Sequence, residues 1–329
     1  MSISTVPIST VPSSTASVPP LTEAERELLP TDDEVAHYEE HGWYLTKKLL
    51  TDEEIDELVD ASERFYAGAR SRTLPLRPPR LAYWEPGDGA VQRHNDYIHV
   101  ESDPIARILR KPLIGAVAAR LAATQRIRLF QSTLIHKPPV ADEPSNIVPW
   151  HFDKHYWATC ASERMLTAFI PFHDCGPRMG TITMIDGSHL WKEIGREDSM
   201  TKHFADRDKS DLERVLAENA AYNNAQVRKV QMEIPKGHMS FHHCRTYHGS
   251  GPNRSDRPRR AVSLHLQDGD NEYRRFELSD GAAVTYNHDA LVRRLPDGRP
   301  DYADPEYCPV IWSDGTQNFT TELGGAALG

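Results

Sequence analysis

The chain has 329 residues, of which 39% are hydrophobic and 26% charged, so most of it is expected to fold around a core. Its formal net charge of -10 argues against a general nucleic-acid-binding protein, which usually carries a basic face. No apolar run approaches the roughly 20 residues of a membrane helix, no secretory signal is recognisable, and the four cysteines form no CxxC pair. We therefore expect a cytoplasmic protein with reduced thiols and with neither membrane nor nucleic-acid partners.

The N-terminal third is predicted to be mainly helical. Residues 1–20 repeat ISTVP and contain almost nothing that could pack, so we expect a disordered tail there. A short helix is expected at 22–29. Thr31 and Glu34 then have the spacing of a capping box, and Gly42 follows as a stop signal.

A second capping box, Thr51 and Glu54, predicts another helix after a short strand at 43–50. Asp103 is predicted to cap a further helix, with Pro104 at its first position. Pro112 should break or kink that helix, because proline cannot donate the backbone hydrogen bond.

From about residue 126 the pattern changes to short segments of alternating or β-branched apolar residues, divided by Gly, Pro, Asn and Asp. A charged, helix-prone segment at 191–222 is expected to be an insertion between strands. Helices followed by strands predict a single α+β domain over 21–329 whose mainly β second half is a sandwich or barrel. The predicted strands lie at 126–137, 164–172, 180–185, 225–234, 239–243 and 259–267.

The segment "VPWHFDKHYW" (148–157) places His151, Asp153 and His155 at alternate positions. On an extended strand all three would face one side, as two histidines and a carboxylate do around Fe(II) in oxygenases. The pattern alone is weak, because 16 His and 48 Asp plus Glu predict roughly two H-x-[DE] matches by chance. The four matches are His37/Glu39, His94/Asp96, His99/Glu101 and His151/Asp153.

Helix and strand spacing decide which of these pairs, and whether His155, could bind a metal. His37 and Glu39 fall within a predicted helix, where positions i and i+2 do not share a face. The next two pairs lie in a loop-like region and stay possible. On a regular strand His155 would lie about 13 Å from His151, too far to share a metal, so we expect it to contact a ligand or the substrate.

His248 is the favoured third ligand because a basic strand follows it. Arg259, eleven residues later, could lie beside a metal in an antiparallel pair and clamp the far carboxylate of a dicarboxylic cosubstrate. Arg260 should face the other side of that strand. The other histidines considered were His173, His189, His238, His242, His243 and His265.

Several ordered motifs resemble the phytanoyl-CoA dioxygenase family of Fe(II)/2-oxoglutarate oxygenases. They are "QSTLIHKPP" (131–139), "WHFDKHYW" (150–157), "GTITMIDGSHLW" (180–191) and "GHMSFHHCRTYHGSGPNRSDRPRRAVSLHL" (237–266), with "HGWYLTKKLLTDEEIDEL" (41–58) near the N-terminus. Asp186 replaces the family's usual proline, and His238 stands where an acidic residue is more common.

The resemblance implies a double-stranded β-helix core over about 126–270, with flanking N-terminal helices and a C-terminal extension at 271–329. It implies Fe(II) ligation by His151, Asp153 and His248. For the 2-oxoglutarate carboxylate it implies a clamp by Arg259, helped by Ser250, and it implies that Gln131 and Phe169 line the cosubstrate pocket.

The implied reaction is O2-dependent oxidation of a C–H bond, most simply a hydroxylation, with release of succinate and CO2. Asp153 argues against halogenation, because related halogenases lack that carboxylate. Two alternatives are a non-catalytic binding or sensor protein and a zinc hydrolase, which leaves Arg259 unexplained.

The substrate is expected to be a small organic metabolite, such as a natural-product intermediate. The 191–222 insertion and the segment 286–312 are expected to cover the cavity mouth. Five aromatic and basic residues are expected near that mouth and are interpreted first as solvated surface and second as substrate contacts: Trp157, Arg178, Arg245, Arg293 and Arg294.

Overall fold

A computed structural model of the chain describes residues 18–89, 91–139, 147–192 and 209–315. Most of the predicted disordered tail, and residues 193–208 of the predicted insertion, lie outside these ranges. The tail residues 18–20 are described and form neither helix nor strand.

The helices confirm the capping signals of the sequence. Both capping boxes are formed, at Thr31 with Glu34 and at Thr51 with Glu54, and Gly42 ends the first of these helices in the left-handed conformation. The helices are α1 (Glu23–Arg26), α2 (Asp32–His41), α3 (Asp52–Tyr66), α4 (Ile98–Glu101), α5 (Asp103–Leu109), α6 (Pro112–Leu121), α7 (Lys209–Tyr222) and α8 (Asn287–Leu291).

In the helical region two details differ from the prediction, and one, the break at Pro112, agrees with it. Ser102, not Asp103, is the N-cap of α5, and Asp103 is the first helical residue. The break at Pro112 is confirmed, because that residue begins the separate helix α6. The pairs His94/Asp96 and His99/Glu101 do not lie in a loop but in a strand and in α4.

All strands pair antiparallel, in two sheets. The large sheet has the order β1-β8-β5-β10-β3-β11, with β2 also pairing with β3, and the small sheet has the order β4-β9-β6-β7. The strands are β1 (Trp43–Leu45), β2 (Arg93–Asp96), β3 (Arg126–Lys137), β4 (Val148–His151), β5 (Leu166–Pro171), β6 (Ile182–Ile185), β7 (Lys229–Gln231), β8 (Ser240–His243), β9 (His248–Ser250), β10 (Arg259–Asp268) and β11 (Val310–Ser313).

The two faces of the large sheet have different environments. On β10, Val262, Leu264 and Leu266 belong to the main core, together with buried residues of α3, α5 and α6. Arg259 and His265, which lie at the alternate positions, line a cavity on the other face. The helices therefore stabilise one side of the sheet and leave the other for a site.

The fold is thus a mixed helical and antiparallel-sheet structure, as predicted. The large sheet recruits strands from outside 126–270, namely β1, β2 and β11. The four cysteines are free and buried, as expected for reduced thiols. Within the described ranges, no helix is long and apolar enough to cross a membrane.

Candidate metal centre

A cavity lies between the two sheets, because residues of both line it. The large sheet contributes Thr167, Phe169 and His265, and the small sheet contributes Ile182 and Gly249. The three predicted metal ligands, His151, Asp153 and His248, all line this cavity.

His151, Asp153 and His248 come together through a strand pair and a turn. His151 is the last residue of β4 and pairs directly with His248 on β9. The alternating pattern predicted that Asp153 lies on the same strand as His151. It instead begins a 3-10 turn over Asp153–His155. The turn still brings its carboxylate back to the histidines.

The three side chains form a compact set of metal-binding groups. Asp153 Oδ1 lies 4.0 Å from His151 Nε2 and 3.7 Å from His248 Nε2. One ligand atom from each of the three buried residues lies within 4.8 Å of the other two. Among the described residues, this group of histidine, cysteine and acidic side chains could hold a metal ion.

Backbone hydrogen bonds orient both imidazoles. Nδ1 of His151 lies 2.8 Å from the carbonyl oxygen of Pro149, and Nδ1 of His248 lies 3.0 Å from that of Thr246. Since a carbonyl can only accept, each Nδ1 carries the proton. Each Nε2 therefore presents its lone pair, the form in which a neutral histidine binds a metal.

The second oxygen of Asp153 has two protein donors. Thr167 Oγ1 lies 2.6 Å and His242 Nε2 lies 3.2 Å from Asp153 Oδ2. His265 Nδ1 lies 2.8 Å from the same threonine oxygen. Because the threonine proton goes to the carboxylate, His265 is the donor in that last bond.

The electrostatics of the site favour a charged carboxylate beside neutral imidazoles. Burial alone would raise the pKa of Asp153, but His248, the His242 hydrogen bond and His265 hold it well below its usual range. Burial lowers the pKa of His248 well below its usual range, and His242 and His151 act in the same direction. Burial also lowers the pKa of His265 to about 4.

His155 lines the cavity but is outside the group of potential ligands. Its ring packs against Phe152, with 3.5 Å between the ring centroids. His155 is therefore placed where it could contact a metal ligand or a substrate in the cavity. Of the other histidines considered, His242 and His265 line the cavity, whereas His173, His189, His238 and His243 do not.

A buried cation occupies another part of the cavity wall. Arg259 is 2% exposed, donates to the carbonyl of Gly180, and lies with its guanidinium 5.3 Å from the ring centre of Phe169. Its Nε is buried without a partner, and it forms no ion pair with a described residue. Arg260 faces the opposite side, as predicted, and bonds to Glu63.

Two more residues adjoin Arg259. Ser250 lines the cavity, and its hydroxyl oxygen accepts a hydrogen bond from Lys137 Nζ at 2.7 Å. Lys137 is fully buried and pairs across the sheet with Arg259. Sequence reasoning missed Lys137; its place as the last residue of the strand predicted at 126–137 was the available signal.

The C-terminal segment supplies a further part of the wall. Val284 and Asn287 line the cavity, and the Tyr286 hydroxyl donates to the side-chain oxygen of Gln131. Trp157 donates from Nε1 to the same tyrosine hydroxyl at 3.3 Å. Of the segment 286–312, which was expected to cover the cavity mouth, Tyr286 and Asn287 line the cavity. Gln131 also lies at the cavity, with its side-chain oxygen engaged by Tyr286.

Other predicted covering groups lie elsewhere. The arginines Arg178, Arg245, Arg293 and Arg294 do not line the cavity, which supports the surface interpretation for them. The described part of the insertion packs outside the small sheet, where Trp150 of β4 donates to Glu213 of α7. His94 and Asp96 do line the cavity, but they do not belong to the group of side chains that could hold a metal ion.

Comparisons with known proteins place the chain among relatives of several activities. It is 26% identical to the peroxisomal phytanoyl-CoA dioxygenase of Bos taurus over 72% of this chain and 68% of the relative. It is 27% identical to the ectoine dioxygenase of Bordetella bronchiseptica over 70% of this chain and 73% of the relative.

Solved structures show the same fold. The non-heme alpha ketoglutarate dependent epimerase SnoN from nogalamycin biosynthesis superposes with a TM-score of 0.61 at 23% identity, over 88% of this chain and 98% of that one. EctD from S. alaskensis, with 2-oxoglutarate and 5-hydroxyectoine, gives 0.57 at 20% identity, over 75% and 79%.

The family model of phytanoyl-CoA dioxygenase matches residues 38–261, a range that contains the H-x-D motif, the distal histidine and Arg259. The chain therefore belongs to the phytanoyl-CoA dioxygenase family, and the family and oxidoreductase class predicted from its motifs are confirmed.

Proposed function

We propose that the protein is an Fe(II)- and 2-oxoglutarate-dependent dioxygenase that hydroxylates a small organic metabolite. The observation that carries this proposal is one cavity that combines three convergent ligand atoms with a buried arginine that has no counter-ion among the described residues. The zinc hydrolase alternative accounts for the ligands and leaves the arginine without a role.

The residues present fit Fe(II). Two neutral imidazoles and one carboxylate are the donor set of non-heme iron oxygenases, and they leave open positions for other ligands. His151 and His248 would bind through Nε2, because each Nδ1 is committed to a backbone carbonyl. Asp153 would bind through Oδ1.

The residues around Arg259 fit the far carboxylate of 2-oxoglutarate. A guanidinium forms paired, charge-assisted hydrogen bonds with a carboxylate, and a dry site strengthens them. Ser250 accepts from Lys137, so its own proton is available to the same carboxylate. Phe169 would form one wall of this pocket. Gln131, which lies on β3 opposite His265, would line the cosubstrate cavity nearer the metal-binding group.

The chemistry of the bound cofactors is oxidative: O2 is reduced, 2-oxoglutarate is converted to succinate and CO2, and a substrate C–H bond gains oxygen. The protein would hold the substrate over the metal and exclude bulk water. Tyr286 and Trp157, joined by their hydrogen bond, would form an aromatic wall on the substrate side.

The substrate class rests on the relatives and on the cavity. The names of the relatives refer to phytanoyl-CoA, ectoine and nogalamycin biosynthesis, so small metabolites of diverse chemistry are typical. We propose the same class for this chain. We also propose that the two antiparallel sheets form a double-stranded β-helix, since the cavity lies between them.

The test is 2-oxoglutarate turnover with candidate metabolites. Purified protein with Fe(II), 2-oxoglutarate and O2 should release succinate faster when its substrate is present. His151→Ala and Asp153→Ala should lower that stimulated rate at least about 1,000-fold, because the metal site loses a ligand. His173→Ala, a histidine outside the cavity, is the matched control and should retain the rate.

Unchanged turnover in both ligand variants would exclude the proposed site. Hydrolysis of a substrate without oxygen consumption would favour the hydrolase instead. Purified protein that binds neither Fe(II) nor 2-oxoglutarate would support the non-catalytic binding or sensor alternative.

A further inference from the structure

A row of three side chains crosses the cavity face of the large sheet beside the metal-binding group. Thr167 on β5 pairs directly with His242 on β8 on one side and with His265 on β10 on the other. All three line the cavity. Thr167 and His242 each hydrogen-bond to one atom, Asp153 Oδ2, and His265 hydrogen-bonds to the Thr167 hydroxyl oxygen.

The directions of these hydrogen bonds follow from the donors available. A carboxylate oxygen only accepts, so both the Thr167 hydroxyl and His242 Nε2 donate to Asp153 Oδ2. His265 donates to the Thr167 oxygen in turn, which fixes the direction of the hydroxyl proton. The two lone pairs of Oδ2 are then both engaged.

We infer that Thr167 and His242, supported by His265, are positioning residues that keep Asp153 a one-oxygen ligand. With Oδ2 held by two donors, only Oδ1 is free to approach a metal beside the two histidines. This inference rests on the proposed function, because it concerns the coordination of the iron proposed there.

The number of oxygens that Asp153 places on the metal decides how many coordination positions stay open for other ligands. An octahedral ion bound by two imidazoles and one carboxylate oxygen keeps three positions for other ligands. A keto acid needs two of them, and one remains. If Asp153 bound through both oxygens, only two positions would be left. The cosubstrate would then either fill both and leave none for O2, or have to displace the second carboxylate oxygen.

His242 has a further property that suits this role. Its Nδ1 is buried and has no hydrogen-bond partner among the described residues, so its interaction with Asp153 is its one polar anchor. The ring also lies close to a metal-binding histidine, with 4.2 Å between the centroids of His242 and His248. The side chain is thus committed to the metal centre.

The test measures metal and cosubstrate binding, not turnover. Co(II) replaces Fe(II) because it is stable in air, and calorimetry gives its affinity for metal-free protein. Thr167→Val and His242→Leu should each weaken Co(II) binding about 10- to 100-fold, the usual effect of losing a partner of a metal ligand. In the Co(II)-loaded variants, 2-oxoglutarate should bind at least about tenfold more weakly.

Two further variants separate positioning from folding. Thr167→Ser keeps the hydroxyl and should restore both affinities to within about threefold of wild type. His243→Leu removes the neighbouring half-buried histidine, which lies outside the cavity, and should lower stability without changing either affinity. Thermal unfolding of the metal-free proteins reports the structural effect separately.

A crystal structure of the Co(II)-loaded protein provides the direct readout: one Asp153 oxygen on the metal in wild type, and two in Thr167→Val. Affinities of Thr167→Val and His242→Leu within twofold of wild type would overturn the inference, as would two-oxygen coordination in wild type. Wild-type protein that bound neither Co(II) nor 2-oxoglutarate would instead overturn the proposed function on which the inference rests.

Discussion

Arg259 is a buried cation without a described counter-ion, an arrangement that is unfavourable unless a ligand supplies the missing charge. A neighbouring side chain, Arg260, carries the same charge on the opposite face and has a partner in Glu63. Two successive arginines therefore have distinct environments, which follow from the alternation of side chains along β10.

This contrast predicts the effect of removing each charge. Arg259→Gln should weaken 2-oxoglutarate binding to Co(II)-loaded protein by at least about 30-fold, because losing one member of a buried charge pair costs about 2–5 kcal/mol. Arg259→Lys should recover only part of the loss, since the ammonium lacks the paired donors. Calorimetric titration measures both.

Arg260→Gln is the matched control and should leave the 2-oxoglutarate affinity unchanged, because its guanidinium reaches α3 and not the cavity. If the two glutamine variants weakened binding equally, net charge, and not a specific clamp, would explain the effect.

At the scale of elements, the bounds of β3 could be predicted to the residue, because Arg126–Lys137 is a long segment rich in apolar residues and Pro138 follows it. The short elements β2 and α8 could not be predicted, since four or five residues give no clear period. The end of β4 at His151 was also missed, because the turn after it is set by tertiary contacts.

The grouping of His151, Asp153 and His248 could be predicted, because the H-x-D motif is local and His248 is flanked by recognisable strands. The row through Thr167 could not, since it depends on the register of three separate strands. A bulge contributes to that register: Gln131 faces His265 and Leu129 faces Leu266, which leaves Phe130 as the extra residue.

Gly180 links the 3-10 turn at Pro177–Met179 to the cavity, because its carbonyl oxygen accepts a hydrogen bond from Arg259. It follows a 3-10 turn with φ of 63°, a conformation that disfavours side chains, and an added Cβ would lie 2.4 Å from the carbonyl oxygen of Gly251. Gly180→Ala should therefore lower the free energy of unfolding by about 2 kcal/mol or more. Because the Gly180 carbonyl accepts from Arg259, 2-oxoglutarate binding should also weaken.

Urea unfolding measures the stability effect. Gly176→Ala, four residues earlier, is the control: an added Cβ there meets nothing within 4 Å. That variant should stay within about 0.5 kcal/mol of wild type. Equal losses in both variants would contradict the argument from the close backbone approach.

For the whole molecule, buried neutral histidines outside the metal centre link stability to pH. Burial lowers the pKa of His99, His243 and His288 to about 3 from the ordinary 6.5. The unfolded chain therefore binds more protons than the folded chain below pH 6.5, and stability falls as the pH decreases. Asp96, whose pKa burial raises to about 6, offsets at most one proton of this effect.

We expect the free energy of unfolding of metal-free protein to be lower at pH 5.5 than at pH 7.5. Each of the three histidines contributes up to about 1.4 kcal/mol per pH unit well below 6.5. Urea unfolding at several pH values measures the slope. His99→Gln should flatten it by up to one proton, and a slope of zero in wild type would contradict the prediction.

The alternation along β10 has a practical consequence for altering this enzyme. Positions that contact the cavity and positions that contact the helices interleave one by one, so substrate range and folding are encoded in the same short stretch but on separate residues. A library confined to cavity-facing positions such as Ser263 can diversify selectivity while Val262 and Leu264 preserve the scaffold. The strand can thus accept new chemistry without redesign of the core that supports it.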